Sequence, residues 1–136
     1  MKLIIAYIQP ERLTTVKNAL AEVGIKRMSV TNSLGCGRQQ GFTESWRGAE
    51  SDIQLLKKVR LEIGVRADEV DLATDAIIAS ARSGKPGDGM IFVVDLGRAI
   101  RIRTGETDDA ALGKPAPEPA AVESDASDNT DAADGG

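Results

Sequence analysis

The chain contains no histidine among its 136 residues. That removes the commonest general base and the commonest metal ligand at once. With a single cysteine, Cys36, there is no internal disulfide to form and no thiolate set to hold zinc. Ser51, Ser83 and Cys36 have no imidazole partner, so triad chemistry is excluded. Aromatic residues make up only 3% of the chain, which leaves the core to Ile, Val, Leu and Ala. Long apolar runs are missing as well. Leu3 to Ile8 is too short for a signal-peptide core and no cleavage-like site follows it. No stretch is long enough to span a bilayer. A reducing, cytoplasmic setting fits this pattern.

The charge is unevenly placed. Residues 1–105 hold 16 Lys+Arg against 12 Asp+Glu, whereas residues 106–136 hold 1 against 9. The body is mildly basic and the tail acidic. An overall pI near 4.9 argues against nucleic acid as a partner. From residue 113 onward the chain is rich in Ala, Asp, Pro, Ser and Gly and nearly empty of large apolar groups. Such a segment buries too little surface to offset chain entropy, so residues 113–136 are expected to be a disordered acidic tail behind one folded domain, residues 1–112.

Within that domain the periods alternate. Lys2 to Ile8 is an apolar, β-rich run suited to a central strand. Pro10 fits a first helical position, Leu13, Val16, Leu20 and Val23 recur at helical spacing, and Gly24 is a natural stop. Arg27 to Leu34 alternates as a strand. Gly35 to Gln54 has no period and reads as a long loop, with Phe42 and Trp46 on a polar background that suits docking, although a plain hairpin tip gives the same pattern. Leu55 to Val65 contains a strict alternation, with Val59, Leu61, Ile63 and Val65 on one face. Asp68 is placed to cap a second helix with the stripe Val70, Ala73, Ile77 and Ala81, ended by Gly84. Lys85 to Gly89 reads as a turn, Met90 to Asp95 as a fourth strand, and Ala99 to Arg103 as a short alternating piece with Arg101 and Arg103 on one face. The order predicts an α+β, ferredoxin-like βαββαβ sandwich with a long loop between strands 2 and 3. Its open sheet face needs a cover, and another copy of the chain supplies one.

Four groupings carry chemistry. Gly35-Cys36-Gly37-Arg38-Gln39 offers close backbone approach and a guanidinium, though as local sequence it is equally a glycine bend. Ser83-Gly84-Lys85-Pro86-Gly87-Asp88-Gly89 suits an anion-binding nest or a tight turn. Arg101 and Arg103, two residues apart, suit a phosphate chain or a solvated edge strand. Of Lys57 and Lys58, one points opposite to the other, and an inward lysine wants a carboxylate. Magnesium held chiefly by nucleotide phosphates needs few protein ligands.

These stretches together resemble the PII signal-transduction family from Met1 to about Leu112. The resemblance rests on LAEVGI (20–25), GCGRQQG (35–41), RGAE (47–50), LLKKVRLEI (55–63), SGKPGDGMIFV (83–93) and RIRTGETDDAAL (101–112). It implies a homotrimer that is not an enzyme, with ATP or ADP in clefts between subunits and 2-oxoglutarate beside the ATP phosphates through Mg2+. It further implies a mobile loop, residues 37–55, that docks on an ammonium transporter or on a nitrogen-metabolism enzyme or regulator, which would bring the protein to the membrane periphery. Carried over by position, Ser29, Gly37, Arg38, Gly87, Asp88, Gly89, Arg101 and Arg103 hold the nucleotide. Gln39 ligates magnesium and helps hold 2-oxoglutarate, and Lys58 meets its distal carboxylate.

The departures are specific. The family's usual lysine after Gly-Asp-Gly is Met90, which removes a cationic phosphate contact. Its modified loop tyrosine is Ser51, where no modification is expected, and the serine phosphorylated in some relatives is Ala49. Met90 motivates an alternative: a divergent PII-like regulator with an altered ligand response serving another transport or metabolic system. A small ferredoxin-like enzyme or nucleic-acid binder is a third class, opposed by the missing histidine and the low pI.

Overall fold

The structure is a computed structural model that describes residues 1–38 and 53–113. Strand β1 spans Lys2–Ile8, helix α1 Leu13–Glu22, β2 Ser29–Arg38, β3 Ile53–Val65, α2 Val70–Ala81, β4 Gly89–Asp95 and α3 Asp108–Leu112. The four strands form one antiparallel sheet in the order β2-β3-β1-β4. This is the ferredoxin-like arrangement that the alternation of periods predicts.

The alternation in β1 and β3 decides which face is buried. Ile4, Ala6 and Ile8 on β1 lie opposite Ile63, Leu61 and Val59 on β3, and all six are buried. Onto them pack Val16 and Leu20 of α1 and Ala73, Ile77 and Ala81 of α2, which are also buried. A helix whose apolar residues recur every three or four positions presents one stripe, and both helices use that stripe on the sheet.

The chain enters α1 through a 3-10 turn at Pro10–Arg12, with Gln9 extended before the proline. Gly24 ends the helix with φ +89°. Its amide donates to Ala21 O (3.0 Å) and the Ile25 amide to Leu20 O (2.9 Å), a Schellman closure with Ile25 buried beyond it.

Three expectations are corrected by the packing. Asp68 does not cap α2. The helix is entered through the 3-10 turn Ala67–Glu69, where Glu69 reaches back to accept from the Arg66 amide at 3.0 Å, and Asp68 instead pairs with the Arg66 guanidinium at 3.1 Å. Ala99 to Arg103 is not a strand. Only Ile100 makes a bridge, to Thr107, and the chain closes a turn in which the Arg101 amide donates to Glu106 O (2.9 Å) and the Gly105 amide to Arg101 O (2.8 Å). Strands β2 and β3 also run farther than their apolar pattern, with pairs continuing through Gly37↔Gln54 to Arg38↔Ile53. Gly35 and Gly37 of β2 carry no apolar signal, yet pairing along β3 holds that arm extended. The expected mobile segment therefore begins and ends inside the ladder, and residues 39–52 lie outside the described residues, as does the tail from residue 114.

The opposite sheet face is apolar, and no other described element covers it. Leu3, Ile5 and Tyr7 are half-buried, and Phe92, Val94 and Met90 are exposed. The Tyr7 and Phe92 rings meet edge to face at 6.4 Å, and Arg60 stacks over Tyr7 at 5.8 Å.

Candidate functional site

The turn between α2 and β4 is braced both from within and by neighbouring strands. Asp88 closes it. Its carboxylate accepts from the Ser83 amide (2.7 Å), the Ser83 hydroxyl (2.6 Å) and the Gly84 amide (2.9 Å). Those donors favour the ionised form, and the Ser83 side-chain hydrogen bond is the largest influence holding the Asp88 carboxyl below its ordinary value. The Lys85 amide in turn donates to Ser83 Oγ at 3.2 Å.

Two other strands brace the same turn. Gly87 O accepts from Lys58 Nζ on β3 at 2.8 Å and from Gln9 Nε2, just past β1, at 3.1 Å. At Gly89 the chain enters β4 with φ +121°, and a Cβ there would lie 1.8 Å from Tyr7 O. No side chain fits, so the backbone lies directly on β1. Gly87, Asp88, Gly89 and Lys58 are thus brought together at one end of the sheet. The side chain of Asp88 is committed to shaping the turn, while a lysine ammonium with three donors keeps capacity beyond Gly87.

The remaining candidates are elsewhere. Ser29 starts β2 opposite Glu62, four residues along β3 from Lys58, about 13 Å at strand rise. Arg101 donates from Nη2 to Ala111 O, at the end of α3, and its Nε lies 3.4 Å from Glu106. Leu112 of α3 lies over Gly64, 3.2 Å from where a Cβ would sit. Gly64 is six residues from Lys58, about 20 Å. Arg103 is exposed on the turn. The expectation that Arg101 and Arg103 share a strand face is corrected with the loss of that strand. Gly37 and Arg38 lie beyond Lys58 on the hairpin arm, paired with Gln54 and Ile53. Gln39, Ala49 and Ser51 lie outside the described residues. One copy of the chain therefore places the glycine turn and the arginine turn at opposite ends of its sheet.

Gln9 was not singled out by sequence reasoning, and Ser83 stood there only as part of the glycine-rich turn, not as the partner of Asp88. Ser83 stands at the head of the glycine-rich turn, five residues before Asp88, a spacing that suits an Asp closing a loop onto local amides. Nothing local points from Gln9 to Gly87, 78 residues away. Among the described residues, no three acidic or thiol groups gather to hold a metal, and no helix is long and apolar enough to cross a membrane.

The fold and site define a ferredoxin-like α+β protein built around a hydrogen-bonded glycine turn. The sequence profile described as "Nitrogen regulatory protein P-II" matches residues 1–106. Proteins of that name from Klebsiella oxytoca and from Escherichia coli (strain K12) are each 56% identical over 112 residues, covering 82% of this chain and 100% of the relative. One from Rhizobium etli is 48% identical over the same extent. The chain belongs to the P-II family of nitrogen regulatory proteins. It is a signalling protein of that family and not an enzyme.

Proposed function

We propose that the chain is a PII-type sensor that binds ATP or ADP, with Mg2+ and 2-oxoglutarate, in clefts between the copies of a homotrimer. In this reading the ligand state is passed to an ammonium transporter or a nitrogen-metabolism enzyme or regulator through residues 37–55. It acts in the cytoplasm and reaches the membrane only through such a partner.

The observation that carries the reading is the separation of the two clusters. Lys58, which braces the Gly87–Gly89 turn, and Gly64, beneath the α3 end that Arg101 grips, are about 20 Å apart along β3 in one copy. A phosphate chain cannot touch both, but a second copy presenting its opposite end closes the gap. Three further features support assembly. Among the described residues, the β2 and β4 edges are unpaired, the sheet face bearing Phe92 and Val94 is uncovered, and Ile102 is fully exposed. An exposed edge and an apolar face on each copy suit a closed ring of head-to-tail contacts.

In each cleft, Gly87 and Gly89 offer backbone close to the phosphates, with Asp88 holding the turn's shape. Arg101 and Arg103 of the neighbouring copy supply positive charge, joined by Gly37 and Arg38, with Ser29 near the base. Gln39 holds Mg2+, and Gln39 and Lys58 hold 2-oxoglutarate. A ligand that favours one arrangement of residues 37–55 shifts the population toward it by no more than its difference in affinity.

Calorimetric titration of ATP with Mg2+, with and without 2-oxoglutarate, tests the reading. ATP binding, with 2-oxoglutarate binding only when ATP and Mg2+ are present, supports it. No ATP binding sinks it. Met90 favours a second reading, a divergent PII-like regulator. This side chain is 59% exposed beside the glycine turn and brings no charge there. ATP binding without any 2-oxoglutarate synergy would select that alternative.

A further inference from the structure

A groove of about 790 Å³ lies between the loop leaving α1 and the end of α3, with Lys26, Arg27 and Ser29 on one side and Leu112 and Gly113 on the other. Glu62 and Glu69 also line it, but each is already paired, Glu62 with Arg60 at 2.6 Å and Glu69 with Arg66 at 3.3 Å. Among the described residues, Lys26 and Arg27 have no carboxylate partner within salt-bridge distance. The groove's unbalanced charge is therefore positive.

The same groove is where the folded body ends. Arg27 Nη1 donates to Ala111 O (3.3 Å), Arg27 Nη2 to Leu112 O (2.6 Å), and Arg66 Nη1 to Gly113 O (3.1 Å). These guanidinium groups hold the point from which residues 114–136 depart. That segment carries six acids, Glu118, Glu123, Asp125, Asp128, Asp131 and Asp134, against one base, Lys114. The relatives from Klebsiella oxytoca and Escherichia coli are matched over their whole length by 112 residues, so the acidic segment has no counterpart in them.

We propose that residues 114–136 fold back into this cationic groove and compete there with anionic ligands. The segment has 23 residues, and a coil of that length has an average end-to-end span of roughly 25 Å, enough to cover the groove from its rim. Tethering sets an effective concentration near the millimolar range, so even weak pairing of carboxylates with Lys26 and Arg27 is populated at low salt. The competitive part rests on the nucleotide reading above, because Ser29 lines the groove and Arg101 anchors at Ala111. The docking part does not.

The test compares the full chain with one in which the six acids are replaced by their amides (Glu118→Gln, Glu123→Gln, Asp125→Asn, Asp128→Asn, Asp131→Asn, Asp134→Asn). Backbone amide NMR shifts of Lys26, Arg27 and Ser29 are expected to differ between the two at low salt and to converge at about 0.5 M NaCl, where exposed charges are screened. Superposable low-salt spectra at these amides overturn the proposal. In parallel, ATP with Mg2+ is expected to bind the neutralised chain about 3- to 10-fold more tightly at low salt, with the gap closing at high salt. A chain ending at Gly113, which keeps every described element, should match the neutralised one. Equal ATP affinities overturn the competition. If no chain binds ATP, the sensor reading fails alone, since the amide shifts need no nucleotide.

Discussion

Replacing Gly89 with alanine tests whether the glycine turn is held by β1 as the structure describes. Two costs are separable. The first is conformational. Gly89 has φ +121°, a region L residues rarely adopt, and holding one there costs about 1–3 kcal/mol. The second is steric. The new Cβ would lie 1.8 Å from Tyr7 O and 2.9 Å from Tyr7 C, both backbone atoms of the central strand. No rotamer relieves that contact, so β4 or β1 must move by more than about 1 Å, a distortion of the overpacking kind that costs roughly 1–3 kcal/mol.

Gly24 supplies the control. It also has positive φ (+89°) but nothing lies within 4 Å of its Cβ position, so Gly24→Ala carries only the conformational part, about 1–2 kcal/mol. Gly89→Ala is expected to destabilise by about 4 kcal/mol, which for a domain of this size lowers Tm by roughly 15–30 °C. The assay is thermal unfolding followed by circular dichroism, at one fixed protein concentration because association shifts Tm. A Tm for Gly89→Ala within a few degrees of that for Gly24→Ala would refute the close approach of the turn to β1.

Leu61→Ala removes a fully buried side chain beneath both helices and is expected to cost about 2–5 kcal/mol in denaturant unfolding; a cost below about 1 kcal/mol would contradict the described core. The Asp88 carboxyl is held low by Ser83 and Gly84, so its contribution is full above the ordinary value of 3.8 and is lost as pH falls through the lower folded value. Amide exchange at Ser83 and Gly84, corrected for intrinsic rates, should accelerate in that acid range; unchanged protection there would show that the carboxylate does not hold the turn. Met90→Lys restores a cation beside the glycine turn and should tighten ATP binding about 5- to 30-fold by calorimetry, the range for one charge-assisted contact of about 1–2 kcal/mol; equal affinity would remove Met90 from the site. Lys58→Ala chains, which should keep ATP but lose 2-oxoglutarate, and Arg101→Ala chains, which should lose ATP and with it 2-oxoglutarate, should regain 2-oxoglutarate binding at about one quarter of the sites when mixed as unfolded chains and refolded together with ATP and Mg2+, because a closed ring of head-to-tail contacts pairs an intact half from each copy; no recovery would place both residues in one copy's site.

Where a period sets the outcome, the fold was legible. Ile4, Ala6 and Ile8 against Val59, Leu61 and Ile63 follow from strand alternation, and Val16, Leu20, Ala73 and Ile77 from helical spacing, because burial of one face selects both. The failures have a common cause in partners distant along the chain. Asp68 and Glu69 are both acids in a first turn, and only Arg66, which grips Gly113 O as well as both carboxylates, decides which one closes the helix start. Gly35 to Arg38 lacks apolar alternation, yet β3 supplies the pairing that keeps it extended. Arg101 and Arg103 have strand spacing, but the bonds to Glu106 and Ala111 fold that piece into a turn. At the site, composition marked the glycines and the basic residues. It did not reveal that Lys58 and Gln9 meet on one carbonyl, or that Arg101 is anchored past the far end of β3 from Lys58. Local sequence encodes which groups can bind an anion. Long-range register encodes which of them one copy can bring to the same ligand, and here the register divides them between two ends of a sheet whose edges and outer face no described residues cover.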